Sequence, residues 1–330
     1  MKTDQYELKK FAATLSLCVG IGMFIFKFSA YLITGSAAIF SDAAESVVHV
    51  LATSMALYSI ILSSRPPDKS HLYGHGNVEF FSAGIEGALI IIAAFVIIFE
   101  AVSDLIKGPE LQSLSTGVII ISAAGFINLF LGFYLIRTGK KTNSLTLIAD
   151  GKHVLTDSYT SIGVIIGITL VILTDIIFLD PVFAIAVALN ILVTGYKLIR
   201  ESIGGLMNET DPKILKKITD KLISIRKPYY IDIHELRFWI SGEAIFIDFH
   251  LTLPYYFNIK QSHAEEDFIT EEITTEFPNA QIKIHLDYCV PQICRYCEHL
   301  KCDVREFEHA DSVNWNINKL TGNPLLNLPH

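Results

Sequence analysis

From Phe11 to Met207 the chain is apolar almost throughout, and short polar stretches divide it into six runs, residues 11–33, 37–63, 78–105, 115–136, 145–173 and 180–206. Each meets the roughly 20 residues that a helix needs to cross about 30 Å of hydrocarbon. Residues 1–207 therefore read as a membrane α-helical bundle with six transmembrane helices. Past residue 207 the pattern changes to one amphipathic helix, 212–225, then alternating runs at 231–240 and 244–253, a polar helix at 261–276 and a final alternating run at 281–287. That order, α-β-β-α-β, predicts a small α+β domain over 208–288, with Ser241 and Gly242 turning a hairpin. Residues 289–330 read as a Cys-rich segment followed, beyond Arg305, by a poorly ordered polar tail in which Trp315 and Leu320 offer local docking points.

Composition supports the division. The chain is 51% hydrophobic and only 18% charged, with mean hydropathy +0.43. A net charge of −8 and the lack of a basic cluster with interleaved aromatics exclude nucleic acid as a partner. The first run is too long for a secretory signal, lacks a small-residue cleavage pattern and leads into another run, so it counts as a span. Lys2, Lys9, Lys10, Arg65, Lys69, Arg137, Lys140, Lys141, Lys197 and Arg200 flank the spans on one side, against Lys107 on the other. The positive-inside rule then places both termini and the C-terminal domain in the cytoplasm, and the cell (inner) membrane is the expected location.

Two of the spans carry the same chemistry. Asp42, Glu45 and His49 lie on one stripe of the second, and Asp150, His153 and Asp157 repeat the offsets on the fifth. Ionisable groups at membrane depth are costly enough to be read as functional. The two spans run in opposite directions, and at 1.5 Å per residue the donors lie roughly 12 and 18 Å from their starting faces. Glu45 is thus expected level with Asp157, and His49 level with His153. Two imidazoles and two carboxylates suit Zn²⁺, with Fe²⁺, Co²⁺ and Cd²⁺ as competitors, whereas Mg²⁺ prefers oxygen and water. The plainer alternative is a pair of helix–helix hydrogen bonds. Asp42 and Asp150 are outer ligands or groups that orient an imidazole, and Lys27 and Glu86 are bundle-facing salt bridges or snorkelling chains.

Further donors lie outside the spans. The loop after span two holds Asp68, His71 and His75 around Gly74, and Glu79 follows at the start of span three. In the C-terminal domain, a register centred on Gly242 sets His234 opposite His250, and His285 and Asp287 share a face of the last strand. Cys289, Cys294, Cys297 and Cys302 crowd together with His299. A cytosolic location argues against disulfides, so Cys294 and Cys297 are either ligands for a soft metal such as Zn²⁺ or free thiols. No phosphate-binding loop for ATP and no H-E-x-x-H peptidase motif occurs.

The paired ligand stripes, the run RPPDKSHLYGHGNVE at 65–79 and the C-terminal domain together resemble the cation diffusion facilitator family of metal efflux transporters, over residues 10–290. The resemblance implies six spans, a cytoplasmic ferredoxin-like domain, a homodimer, and exchange of a divalent metal for protons. It places the transport quartet on Glu45, His49, His153 and Asp157, where the second span departs from the family's usual D-x-x-x-D or H-x-x-x-D by having E-x-x-x-H. The loop's counterpart holds a metal in some relatives. A regulatory binuclear site near the dimer interface is implied at His234, His250, His263, His285 and Asp287. Relatives often carry a lysine before the span-three glutamate and an acid at the end of span six, where this chain has Asn77 and Asn208. The expected function is a proton-coupled antiporter, not an enzyme, with Zn²⁺ both as cargo and as regulatory ion. The rival reading is a metal-gated channel or metal sensor without coupled pumping.

Overall fold

The computed structural model describes residues 2–108, 114–142 and 144–325. They form two compact units, 1–207 and 208–330.

Among the described residues of the first unit, six helices are long and apolar enough to cross a membrane. They are α1 (Lys2–Thr34), α2 (Ala37–Ser63), α3 (Val78–Lys107), α4 (Leu114–Thr142), α5 (Leu145–Thr174) and α6 (Leu179–Leu206). α1 and α4 run past the apolar stretches that predict them, α4 by a last turn carrying Lys140 and Lys141, where cations favour the negative end of the helix dipole. The bundle carries large apolar side chains on its outside: Phe99, Ile106, Ile119 and Leu173 are exposed. In water such a surface would aggregate; against lipid it is the natural one.

Small residues set the packing. α3 lies against α6, α4 against α5, and α2 touches α1, α3, α5 and α6. The interior is rich in alanine, including Ala30, Ala37, Ala38, Ala94, Ala101, Ala184 and Ala188. With no hydrophobic drive between helices in lipid, close approach supplies the attraction. At the α4–α5 crossing a Cβ on Gly151 would come within 2.8 Å of the Ile136 backbone nitrogen, so no side chain fits without moving one helix away.

Helix starts are fixed by polar groups. Ser36 caps α2 by accepting from the Ile39 N–H, and its own hydroxyl donates to Asp180 Oδ1 at 2.5 Å. Asp180 Oδ2 also accepts from the Ala38 N–H at 3.3 Å. One carboxylate from the first turn of α6 thereby meets the positive end of α2.

The second unit is built from α7 (Pro212–Ser224), β1 (Asp232–Ser241), β2 (Ala244–Leu253), α8 (Ile259–Glu276), β3 (Ala280–Tyr288), a 3₁₀ turn (Pro291–Tyr296) and α9 (Ile317–Leu320). The sheet order is β1-β2-β3, with β1 antiparallel and β3 parallel to β2. Ile218, Leu222, Phe249, Leu251, Ile269 and Ile273 fill its core.

The β1–β2 register is more intricate than a simple hairpin. Gly242, with φ of +60°, belongs to a two-residue turn that pairs Ser241 with Ala244 and Ile240 with Ile245. Continued without a break, that register would set His250 opposite Glu235. A bulge between His234 and Arg237, with Glu235 at a φ of +53°, slips the pairing by one residue and sets His234 opposite His250.

The tail is packed, not trailing. Val313, Trp315 and Leu320 are buried in the core of the second unit, and the Arg226 guanidinium lies over the Trp315 ring at 4.5 Å while donating to the Val313 carbonyl at 3.0 Å.

Candidate metal centres

α2 and α5 meet at their matched stripes. The His49 and His153 rings pack edge to face with centroids 5.7 Å apart. Glu45, His153 and Asp157 line one cavity together with Thr156 of α5, Ile90 and Ala93 of α3, and Asn190 and Thr194 of α6. Glu45, His49 and Asp157 are buried. His153 Nδ1 lies 3.8 Å from Asp157 Oδ1, and His49 Nε2 lies 3.7 Å from Asp150 Oδ1. Both exceed hydrogen-bond length, and the Nε2 atoms of His49 and His153 have no hydrogen-bond partner among the described residues. Buried ring nitrogens left this way are available for coordination.

The outer pair of aspartates is engaged in holding helices together. Asp42 Oδ1 accepts from Lys27 Nζ of α1 at 3.0 Å and from Ser161 Oγ of α5 at 2.6 Å. Asp150 Oδ1 accepts from Thr53 Oγ1 of α2 at 3.2 Å and faces His49. Asp42 is thus a three-helix tie, and Asp150 sits where it can orient an imidazole. Sequence patterns do not reveal Ser161 and Thr53, because each pairing spans some hundred residues. Asn190 and Thr194 do leave a signal, as two polar residues four apart inside an apolar span.

Donor atoms of three side chains lie within 4.8 Å of one another in two places among the described residues, and both are outside the spans. The quartet of Glu45, His49, His153 and Asp157 is more open than that.

The first tight cluster is Asp68, His71 and His75 in the loop between α2 and α3. Asp68 Oδ1 accepts from the Ser70 hydroxyl at 2.9 Å and from the Ser70 and His71 N–H groups at 2.8 and 2.7 Å. Those donors, the Ser70 hydroxyl first, hold its carboxyl well below the usual carboxylate range, so it is ionised at any physiological pH. Oδ2 lies 3.3 Å from His75 Nε2, and the two imidazole centroids are 4.5 Å apart. Gly74, with φ of +84°, makes the turn that folds His75 back.

The second is His234, His250 and Asp287. The register aligns His234, His250 and His285 in a row across the three strands, with centroids 4.9 and 4.4 Å apart. Asp287 reaches all three: Oδ2 lies 3.0 Å from His250 Nδ1 and 3.4 Å from His234 Nε2, and Oδ1 lies 3.5 Å from His285 Nε2. A carboxylate among three imidazoles marks where a cation would sit. His263, on α8, is 66% exposed beside Glu266 and Asp267 of its own helix and joins no three-donor cluster within 4.8 Å among the described residues.

Cys289, Cys294, Cys297 and Cys302 are all free thiols. They are electrostatic neighbours, yet they make no three-donor cluster within 4.8 Å among the described residues. Burial first, then the proximity of other thiols, raises the Cys289 thiol above its usual range, and burial does the same at Cys297. The Arg305 guanidinium ties the segment by donating to the carbonyls of Cys294 and Cys297, each at 2.7 Å.

Residues 13–207 match the profile of the cation efflux transmembrane domain, and residues 210–289 match the cytoplasmic domain of cation efflux proteins. The chain belongs to the cation efflux family. This cation efflux protein is 34% identical to an uncharacterised transporter of Synechocystis over 83% of its own length and 89% of that protein's. It is 27% identical to the cation-efflux pump FieF of Shewanella oneidensis, with 87% and 96% of the two chains covered. It is also 28% identical to the manganese efflux system protein MneP of Bacillus subtilis, with 87% and 98% covered. As a member of the cation diffusion facilitator family it is an integral membrane transporter of divalent metals and not an enzyme.

Proposed function

We propose that this protein exports divalent transition-metal ions in exchange for protons, as a homodimer with both termini and the C-terminal unit in the cytoplasm of a cell-membrane transporter. The observation that carries the reading is the meeting of His49 with His153 beside the cavity lined by Glu45, His153 and Asp157. Two imidazoles and two carboxylates form a set of four from which Zn²⁺ gains more than Mn²⁺, because imidazole favours the later metals while Mn²⁺ prefers oxygen donors. A relative named for manganese efflux makes Mn²⁺ the competitor to test, alongside Fe²⁺, Co²⁺ and Cd²⁺. The open quartet fits a cargo site, which must release what it binds, whereas the tighter loop and C-terminal clusters suit resident ions.

Proton exchange follows from the donors themselves. A metal binds neutral imidazole and ionised carboxylate, so protonation from the more acidic face expels it, and its binding at the other face expels protons. Alternate opening of the cavity to the two faces converts that competition into antiport. Ions at the C-terminal centre would favour one arrangement of the dimer and so shift the population of transport states.

In vesicles reconstituted with the full chain, Zn²⁺ flux is expected to rise with an imposed pH gradient and to move protons the opposite way. Flux indifferent to the gradient would favour a metal-gated channel instead.

A further inference from the structure

Residues 290–325 lie beyond both family matches, yet they return to the strand that carries His234. Asp232 is 1% exposed, and its Oδ2 lies 3.3 Å from His234 Nδ1 while accepting from the Leu325 N–H at 3.0 Å. Its Oδ1 forms an ion pair with Lys319 Nζ at 2.6 Å, and that ammonium donates to the Ile233 and Asn323 carbonyls, each at 3.3 Å. The Gly322 carbonyl accepts from the Glu235 N–H at 2.9 Å, at the bulge that sets His234 opposite His250. Buried Trp315 and Leu320 hold the segment against the core.

We infer that the C-terminal segment is the orienting arm of the His234–His250–Asp287 centre: Asp232 is the positioning residue that fixes the His234 ring, and Lys319 fixes Asp232. An imidazole whose Nδ1–H donates to a carboxylate keeps its Nε2 lone pair for a metal, with its tautomer and ring direction set in advance. His234 is placed for this arrangement: Nδ1 lies 3.3 Å from Asp232 Oδ2, within reach of it though not aligned as a hydrogen bond, and Nε2 lies 3.4 Å from Asp287, so a small turn of the ring on binding an ion would close the Nδ1–H···Oδ2 bond. A buried carboxylate needs compensation, and Lys319 supplies it from the tail. The stretch outside the family matches thus builds the metal centre inside them.

The inference rests on the C-terminal centre binding metal, and a double-mutant cycle separates the two ideas. Co²⁺ is titrated into the full-length protein in detergent and followed by its visible spectrum, with His250→Ala as the reference lacking the centre. Asp232→Asn and Lys319→Ala are expected to weaken Co²⁺ binding at this centre by about 10–100-fold and to alter its spectrum. Lys319→Arg is expected to restore both, and neither effect should survive in the His250→Ala background. If His250→Ala loses a bound ion while Asp232→Asn keeps the parent's affinity and spectrum, the orienting role is overturned. If His250→Ala loses no ion, the metal reading of the centre fails and takes the arm's role with it.

Discussion

Asp157→Ala is expected to reduce metal efflux to background while the protein still folds and inserts. Asp157 faces His153 at 3.8 Å and lines the cavity with Glu45, so in the proposed quartet its carboxylate is one of four donors to the cargo ion. Loss of an orienting partner typically costs about 10–100-fold in metal affinity, and loss of a direct donor from a set this open should cost more. Asp157→Asn tests the same point with the shape retained: the amide keeps an oxygen but loses the charge that balances a dication. Uptake by reconstituted vesicles, measured beside thermal stability in detergent, decides the matter. Parent-like uptake in either variant would remove Asp157 from the pathway.

Lys27→Met is expected to act on stability first. Lys27 and Asp42 are both 0% exposed and lie 3.0 Å apart, linking α1 to α2, while Ser161 joins them from α5. Removing one partner of a buried ion pair typically costs about 3–5 kcal/mol, because the other charge is left uncompensated. Replacing both partners with apolar side chains is often nearly neutral. The double variant Lys27→Met, Asp42→Leu should therefore regain most of the melting temperature lost by Lys27→Met alone. A single variant as stable as the parent would mean that the pair does not hold α1 in place. Asp42 also lies three residues before Glu45 on α2, so a shift of that tie would move the cavity wall, and the two measurements belong together.

The spans were legible because six apolar runs separated by polar loops have no other folded solution of this length. The stripes on α2 and α5 were legible for a different reason: offsets of three and four residues fix the face of a helix, and opposite directions fix the depth at which the faces meet. Neither argument gives distance, and so the quartet's openness relative to the loop and C-terminal clusters had to come from the structure. In the sheet, counting from Gly242 paired His234 with His250, but that pairing depends on a bulge at Glu235 which the alternation of residues does not announce. The docked tail was the least legible part. Trp315 and Leu320 are single apolar residues without period, and Lys319 finds Asp232 across 87 positions of chain, a distance that no local pattern spans. His263, brought in by resemblance alone, is 66% exposed on α8 with Glu266 and Asp267 of its own helix as its ion-pair partners, and no local pattern ties it to the row of imidazoles.

Zinc-edge X-ray absorption offers the most direct test of the cargo site, on full-length protein in which His71, His75, His234 and His250 are replaced by Ala and Cys294 and Cys297 by Ser. With the quartet left as the main donor set, one retained ion is expected, with a shell of nitrogen and oxygen at about 2.0–2.2 Å and the outer scattering of two imidazoles. An ion whose shell lacks the two imidazoles, or no ion taken up with Zn²⁺ in excess, would contradict the claim that Glu45, His49, His153 and Asp157 grip a single metal.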